Sequence, residues 1–316
     1  MKNNDVVPVE VLSQQMREMA QSLYRPKIKT VLILAAGQGT RLGRITDKLA
    51  KPLLDINGMT TIAWIVLDGL NAGITNFVIV ITKDQKAVID DLSPKKAEKA
   101  RILNSKRANY LMHYLRIWQE AKISFVYQDE THGKGDLAAV AAAYSDIYRE
   151  TFILAFGDGI FEKNAIQQAV DAYNTHQKPV VVLSTVDPKD APSFGVAVYT
   201  PIDEQGTVLV NDLAEKRQNP PSLEAMVGVY AVTQEELRLL TYVTPGDDGE
   251  IRMTDLMKAY IRFGGELIGI ILDGWWGDTG TIDALTETRV LHALTHPTSS
   301  AKTEAMLAKR GFTKSV

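Results

Sequence analysis

A glycine-rich turn placed directly after an apolar run is the first feature of this sequence that could do chemistry: VLILAAGQGTRLGRITDKLAKPLL occupies residues 31–54. Gly37-Gln38-Gly39-Thr40-Arg41 opens from a strand-like segment, and a tight loop there turns several backbone N–H groups toward one point. Such nests bind phosphate oxygens without a side-chain charge. Two common phosphate loops fail on spacing. A dinucleotide fingerprint needs glycine at position 42, where Leu42 stands, and a Walker A loop needs a Gly-Lys-Ser/Thr that the segment lacks. Arg41 and, ten residues on, Lys51 can reach back to the loop and supply the cations a triphosphate requires, although each alone reads as a surface charge.

Two carboxylates follow apolar runs. Asp158 closes TFILAFGD between Gly157 and Gly159, and ligands of open α/β sheets bind beyond the carboxyl ends of the strands, so an acid there can hold a metal; in isolation a turn or cap role is equally open. Asp278 lies in GWWGDTG. Asp-Thr-Gly also marks aspartic proteases, but those need two such triplets in one active site and this chain has one. The five histidines, His113, His132, His176, His292 and His296, form no metal or triad pattern and read as surface or capping residues.

What must position these groups is an alternation of strand and helix. Strand-like runs at 30–36, 76–82, 123–128, 151–156 and 179–186 are separated by helix patterns at 60–72, 136–148 and 165–176. FGVAVY, TVLVNDLAEK and AMVGVYAV add strands, with turn signals at 203–206 and 219–221. The pattern predicts an α/β fold with a mostly parallel or mixed central sheet covered by helices. Residues 1–27 predict a helical extension, with Val9, Leu12, Met16, Met19 and Leu23 on one face. The main domain is expected over residues 28–292, in halves of about 28–178 and 179–292, with a basic helical insertion at 93–119 that reads as a solvated segment, the competing reading being a basic patch for phosphates or a partner subunit. Residues 293–316 read as a loose tail.

Composition narrows the class. With Lys plus Arg at 35 and Asp plus Glu at 38, the net charge of −3 gives no field to draw in nucleic acid or an anionic membrane. The chain is 45% hydrophobic and 23% charged, which suits a large core with a soluble surface. The absence of cysteine excludes thiolate nucleophiles, disulfides and cysteine-ligated metals. No apolar leader stands at the start, and the expectation is a soluble, cytoplasmic protein.

LAAGQGTRL followed by KPLL, then GDGIF, FGVAV, EK, VGVY and GWWGDTGT, in this order, resembles the sugar-1-phosphate nucleotidyltransferases (nucleoside-diphosphate-sugar pyrophosphorylases) over about residues 28–292. Within that family, DPKDAPSFGVAV, NPPSLEAMVGVY, GEIRMTDLMKAYI and GWWGDTG are most similar to long-type glucose-1-phosphate thymidylyltransferases, with the UTP–glucose-1-phosphate uridylyltransferases in contention. The resemblance implies a Rossmann-like fold that joins a pyrimidine nucleoside triphosphate, dTTP or UTP, to a hexose 1-phosphate such as glucose 1-phosphate, with Mg2+ as cofactor. By the same resemblance, Leu34, Ala35, Ala36 and Gly37 line the nucleotide, Gly39, Thr40 and Arg41 hold its phosphates, Lys51 meets the reacting centre, and Gln128 and Gly133 read the base. Gly195, Glu215, Lys216 and Trp276 take the sugar phosphate, while Asp158 and Asp278 hold the metal. The family also implies a homo-oligomer, with neither nucleic acid nor membrane as partner. The competing expectation is a non-catalytic member of the fold that senses sugar nucleotides.

Overall fold

The computed structural model of the chain describes residues 28–37, 39–46, 49–95, 99, 110–147, 150–297 and 299–310. In chain order the strands are β1 (Thr30–Leu34), β2 (Asp55–Ile56), β3 (Met59–Thr60), β4 (Asn76–Ile81), β5 (Lys122–Tyr127), β6 (Phe152–Phe156), β7 (Gly159–Phe161), β8 (Val180–Thr185), β9 (Gly195–Pro201), β10 (Thr207–Glu215), β11 (Glu224–Val232), β12 (Leu267–Ile271) and β13 (Trp276–Asp278). The α-helices among the described residues are α1 (Thr61–Asn71), α2 (Lys86–Leu92), α3 (Leu111–Glu120), α4 (Asp136–Ala142), α5 (Tyr144–Ile147), α6 (Ala165–His176), α7 (Gln234–Leu237), α8 (Met253–Arg262), α9 (Ile282–Thr295) and α10 (Ser300–Lys309).

Nine strands form one sheet in the order β5-β4-β1-β6-β11-β8-β12-β10-β9, while β2–β3 and β13–β7 are separate two-stranded ribbons. The alternation of side chains along β1 sends Val31 and Ile33 into the core shared with α1 and α6, and Leu32 into the core shared with α4 and α8. Both faces are dry, which is why the strand reads as a continuous apolar run. β1 pairs parallel with β4 and β6, and β4 with β5. Beyond that block β11 runs antiparallel to β6 and β8, and β10 antiparallel to β12 and β9, while β8 and β12 are parallel. The sheet is therefore mixed. Local chemistry sets the element ends: Asn164 Oδ1 caps α6 by accepting from Gln167 N–H at 2.9 Å, and Asp203 Oδ1 accepts from Thr207 N–H at 2.8 Å in the β9–β10 turn.

Several sequence expectations change. The 136–148 helix divides between α4 and α5 at Ala143, whose N–H is shared between Ala139 O and Val140 O as the first helix ends. The latter part of the 93–119 segment is not a solvated insertion, because α3 buries Ile117 completely and packs Tyr114 and Trp118 on the core beside α1. Its charges lie outward, and Arg116 donates to Leu70 O and to Asn71 Oδ1. The tail is not loose over residues 300–309, where α10 packs beside α9; none of its residues is fully buried, which left no periodic apolar signal to read. His292 is not a surface residue. It is 3% exposed, packed on Trp64 and stacked on His296 with ring centroids 4.6 Å apart. The expected helix within residues 1–27 lies outside the described residues. Among the described residues no helix is long and apolar enough to cross a membrane.

Candidate active site

β1 and β6 lie side by side in register, Leu34 opposite Phe156, so the segments that leave their carboxyl ends emerge together. One carries Gly37, Gly39 and Arg41, and the other carries Asp158. Gly157 N–H donates to Leu34 O at 2.9 Å, and a Cβ on Gly157 would lie 2.9 Å from that same oxygen, so this approach of two backbones requires glycine. Behind the glycine loop the buried Gln85 side chain accepts from Thr82 N–H at 2.8 Å and donates to Ala35 O at 3.0 Å, which fixes the loop at its base.

The cleft above these strands has two compartments. The larger, about 1010 Å3, is lined by Leu34, Ala35, Ala36, Gly37 and Gly39 and by Gln128 and Gly133 from the segment after β5. Gln128 Nε2 donates to Gly133 O at 3.2 Å and makes that segment a closed rim. The smaller, about 200 Å3, is lined by Gly195, Glu215, Trp276 and Asp278. Arg41, Lys51, Asp158 and Lys216 face both and so stand at their junction. Every residue that the resemblance implies for the site thus lies on one cleft except Thr40, which begins the 3-10 helix Thr40–Ile45 and whose side chain lies outside the described residues.

Charge is concentrated at the junction. Lys51 Nζ lies 2.5 Å from Asp158 Oδ2. Asp278 enters from β13, where it sits opposite Gly159 of β7, and Thr279 donates to Asp158 O from both its N–H at 3.2 Å and its Oγ1 at 3.0 Å. The two acid-bearing segments are stitched together in this way. Burial, and after it the Asp158 charge, pushes the Asp278 carboxyl above its usual range, while Lys51, the Gly280 N–H and Arg41 pull it down. Two like-charged oxygen donors side by side fit a hard divalent cation, whose remaining positions water and phosphate oxygens can fill. Among the described residues no three His, Asp or Glu side chains gather as a metal cage, so such an ion would be held only partly by protein.

The smaller compartment gathers several polar and aromatic side chains. Lys216 adopts φ 44, a left-handed conformation that costs a residue with a Cβ about 1 kcal/mol, and such strain gathers at functional sites. Its Nζ lies 3.5 Å from Glu215 Oε1, and Thr254 Oγ1 donates to Glu215 Oε2 at 2.7 Å. Trp276 meets Phe194 edge to face at 5.2 Å, and its buried indole N–H finds no hydrogen-bond partner among the described residues. Sequence reasoning missed Gln85, Asp136, Arg252, Thr254 and Thr279. The available signal was GEIRMTD, whose Arg252 and Thr254 line the smaller compartment.

Known proteins resemble this chain in both sequence and fold. The profile of the nucleotidyl transferase family matches residues 30–293. A UTP–glucose-1-phosphate uridylyltransferase of Staphylococcus saprophyticus is 33% identical over 242 residues, spanning 75% of this chain and 82% of that protein. Another, of Streptococcus pyogenes, is 29% identical over 283 residues, spanning 86% of this chain and 90% of its own length. A crystal structure of UDP-glucose pyrophosphorylase complexed with UDP-glucose matches with a TM-score of 0.75 at 24% identity, over 84% of this chain and 98% of that one, which is a likeness of fold.

Proposed function

Starting from the fact that the chain belongs to the nucleotidyl transferase family, we propose that it transfers UMP from UTP to glucose 1-phosphate, giving UDP-glucose and pyrophosphate. The observation that carries the reading is the meeting of Arg41, Lys51, Lys216 and Asp158 at the junction of a two-compartment cleft, with Asp278 beside them in the smaller compartment. Uridine rather than thymidine is favoured by the curated relatives, which are uridylyltransferases.

The larger compartment takes the nucleotide, with backbone N–H groups of the glycine loop on its phosphates and the Gln128–Gly133 rim on the base. The smaller takes the sugar phosphate, Glu215 on the hydroxyls and Lys216 on the phosphate. A phosphate oxygen of the sugar 1-phosphate attacks the α-phosphorus. The new P–O bond forms in line with the α–β P–O bond that breaks, and pyrophosphate leaves with the electron pair. Two anions must come within about 3 to 3.5 Å, so the work is positioning and neutralisation. Arg41 and Lys51 hold the leaving phosphates, and Lys216 the nucleophile. The nucleophile is already ionised, so no general base is needed, and no histidine lines either compartment. Mg2+, when bound by Asp158 and Asp278, supplies further neutralisation of phosphate charge.

The proposal includes a cytoplasmic homo-oligomer, which light scattering on the purified chain and cell fractionation test. The reaction is tested by pyrophosphate release from glucose 1-phosphate with UTP, dTTP, CTP, ATP and GTP in turn. Release is expected to be fastest with UTP; faster release with dTTP reassigns the base, and no release with any of them sinks the activity.

A further inference from the structure

The segment that carries Gln128 and Gly133 is fastened to the residues that lead into α8 and to the first residue of that helix. Lys134 and Glu250 form a parallel β-bridge, Ile251 N–H donates to Lys134 O at 2.9 Å, and Leu137 N–H donates to Ile251 O at 3.1 Å. Gly135 lies between them at φ +99, where a Cβ would stand 2.2 Å from Ile251 O, so the two segments lie this close only because position 135 is glycine. Asp136 closes the clasp. Its Oδ1 accepts from Met253 N–H at 2.7 Å, one of the helix-start donors for which α8 itself has no acceptor.

The same helical turn reaches the smaller compartment. Thr254, one residue beyond Met253, donates to Glu215 Oε2 at 2.7 Å, and Arg252 is held by Asp248 and by Glu250 Oε2. The charged and titratable groups around Asp136 are Glu215, Arg252 and Tyr230. Loss of water, and less strongly the Glu215 charge, lift the Asp136 carboxyl to about 6, while the Met253 and Leu137 N–H groups and Arg252 oppose that rise. Asp136 faces both compartments.

We propose that Asp136 is a positioning residue that couples the two compartments: through the first turn of α8 it sets where Thr254 holds Glu215, so that a nucleotide seated against the Gln128–Gly133 rim prepares the place for the sugar. The inference rests on the assignment of nucleotide and sugar made under Proposed function.

Calorimetric titration of the full chain with UDP and with UDP-glucose measures what the sugar adds to affinity. In Asp136→Ala that gain is expected to fall by about ten-fold, with UDP affinity kept within about two-fold and the KM for glucose 1-phosphate raised more than that for UTP. Asp136→Asn, whose amide oxygen still accepts from Met253 N–H, is expected to recover most of the gain. Asp136→Glu keeps the charge but cannot place an oxygen on the same N–H, so it is expected to lose the gain, and it decides the matter if Asp136→Ala does not fold. An unchanged gain in Asp136→Ala or Asp136→Glu overturns the coupling, as does equal loss of UDP and UDP-glucose, or failure of Asp136→Asn to recover. A wild-type chain that binds neither nucleotide overturns instead the assignment beneath it.

Discussion

The two compartments are built from different materials. The larger is lined by many small residues, among them Ala35, Ala36, Gly37, Gly39, Gly133 and Gly157, which leave the main chain uncovered, and its rim is closed by Gln128 on Gly133 O. The smaller is walled by Glu215, Lys216, Thr254, Trp276 and Asp278, side chains brought together from β10, the turn after it, α8 and β13. A wall of backbone N–H groups offers the same donors whatever side chains it carries. A wall of side chains can be retuned by single substitutions, and it depends on distant elements keeping their places.

Four experiments can break or sharpen that contrast. The largest effect is expected at the two carboxylates, Asp158 at the junction and Asp278 in the smaller compartment beside it: Asp158→Asn or Asp278→Asn should lower turnover by at least about 10^3-fold in the pyrophosphate assay with the melting temperature preserved, and retained activity in either removes that carboxylate from the reaction. Next, Lys216→Ala should lower kcat/KM by about 10^2-fold with the loss falling on the sugar phosphate; a rise confined to the KM for UTP would mean that the compartments are assigned the wrong way round. In the larger compartment Gln128→Ala should be milder, reducing the preference for UTP over CTP by about ten-fold, and unchanged selectivity would take base reading away from that side chain.

The smallest effect on turnover at neutral pH is expected outside the cleft, at His292 of α9. Burial, then the charge of His296, lowers its pKa from 6.5 to about 4. As pH falls below 6.5 the unfolded chain binds the proton first, so the folded state loses stability until His292 itself protonates near 4. With allowance for solvent screening the loss is about 2 kcal/mol, measurable by denaturant unfolding across that range. His292→Asn should flatten the dependence, and an equally steep profile in the variant assigns it to other groups. Because Thr288 Oγ1 of α9 donates to Asp278 O at 3.1 Å, acid loosening should reach the side-chain wall before the glycine loop.

Legibility in the sequence follows the same division. The glycine loop could be read because its parts are adjacent in the chain, and α6 because an Asn164 cap and a periodic apolar face define it locally. Asp136, Thr254 and Thr279 could not be read, since each acts through a partner far away: Asp136 on Met253 and Thr279 on Asp158 O are 117 and 121 residues apart. The burial of α3 was hidden for another reason. Its charged neighbours dominate the composition, while the inward Tyr114, Ile117 and Trp118 show only once the helix is drawn as a wheel. His292 offered no signal, because a histidine packed among rings differs from an exposed one only in its tertiary neighbours.

The Lys51–Asp158 contact ties the binding of an anion to the binding of a cation. Each charge is already answered by the other, so a polyanion entering alone must pull Lys51 from its partner, and a cation entering alone must do the same to Asp158. Whichever arrives first sets free the group the other wants. The release of one charge by the partner of the other is a coupling, and by linkage each ligand should lower the apparent dissociation constant of the other by the same factor.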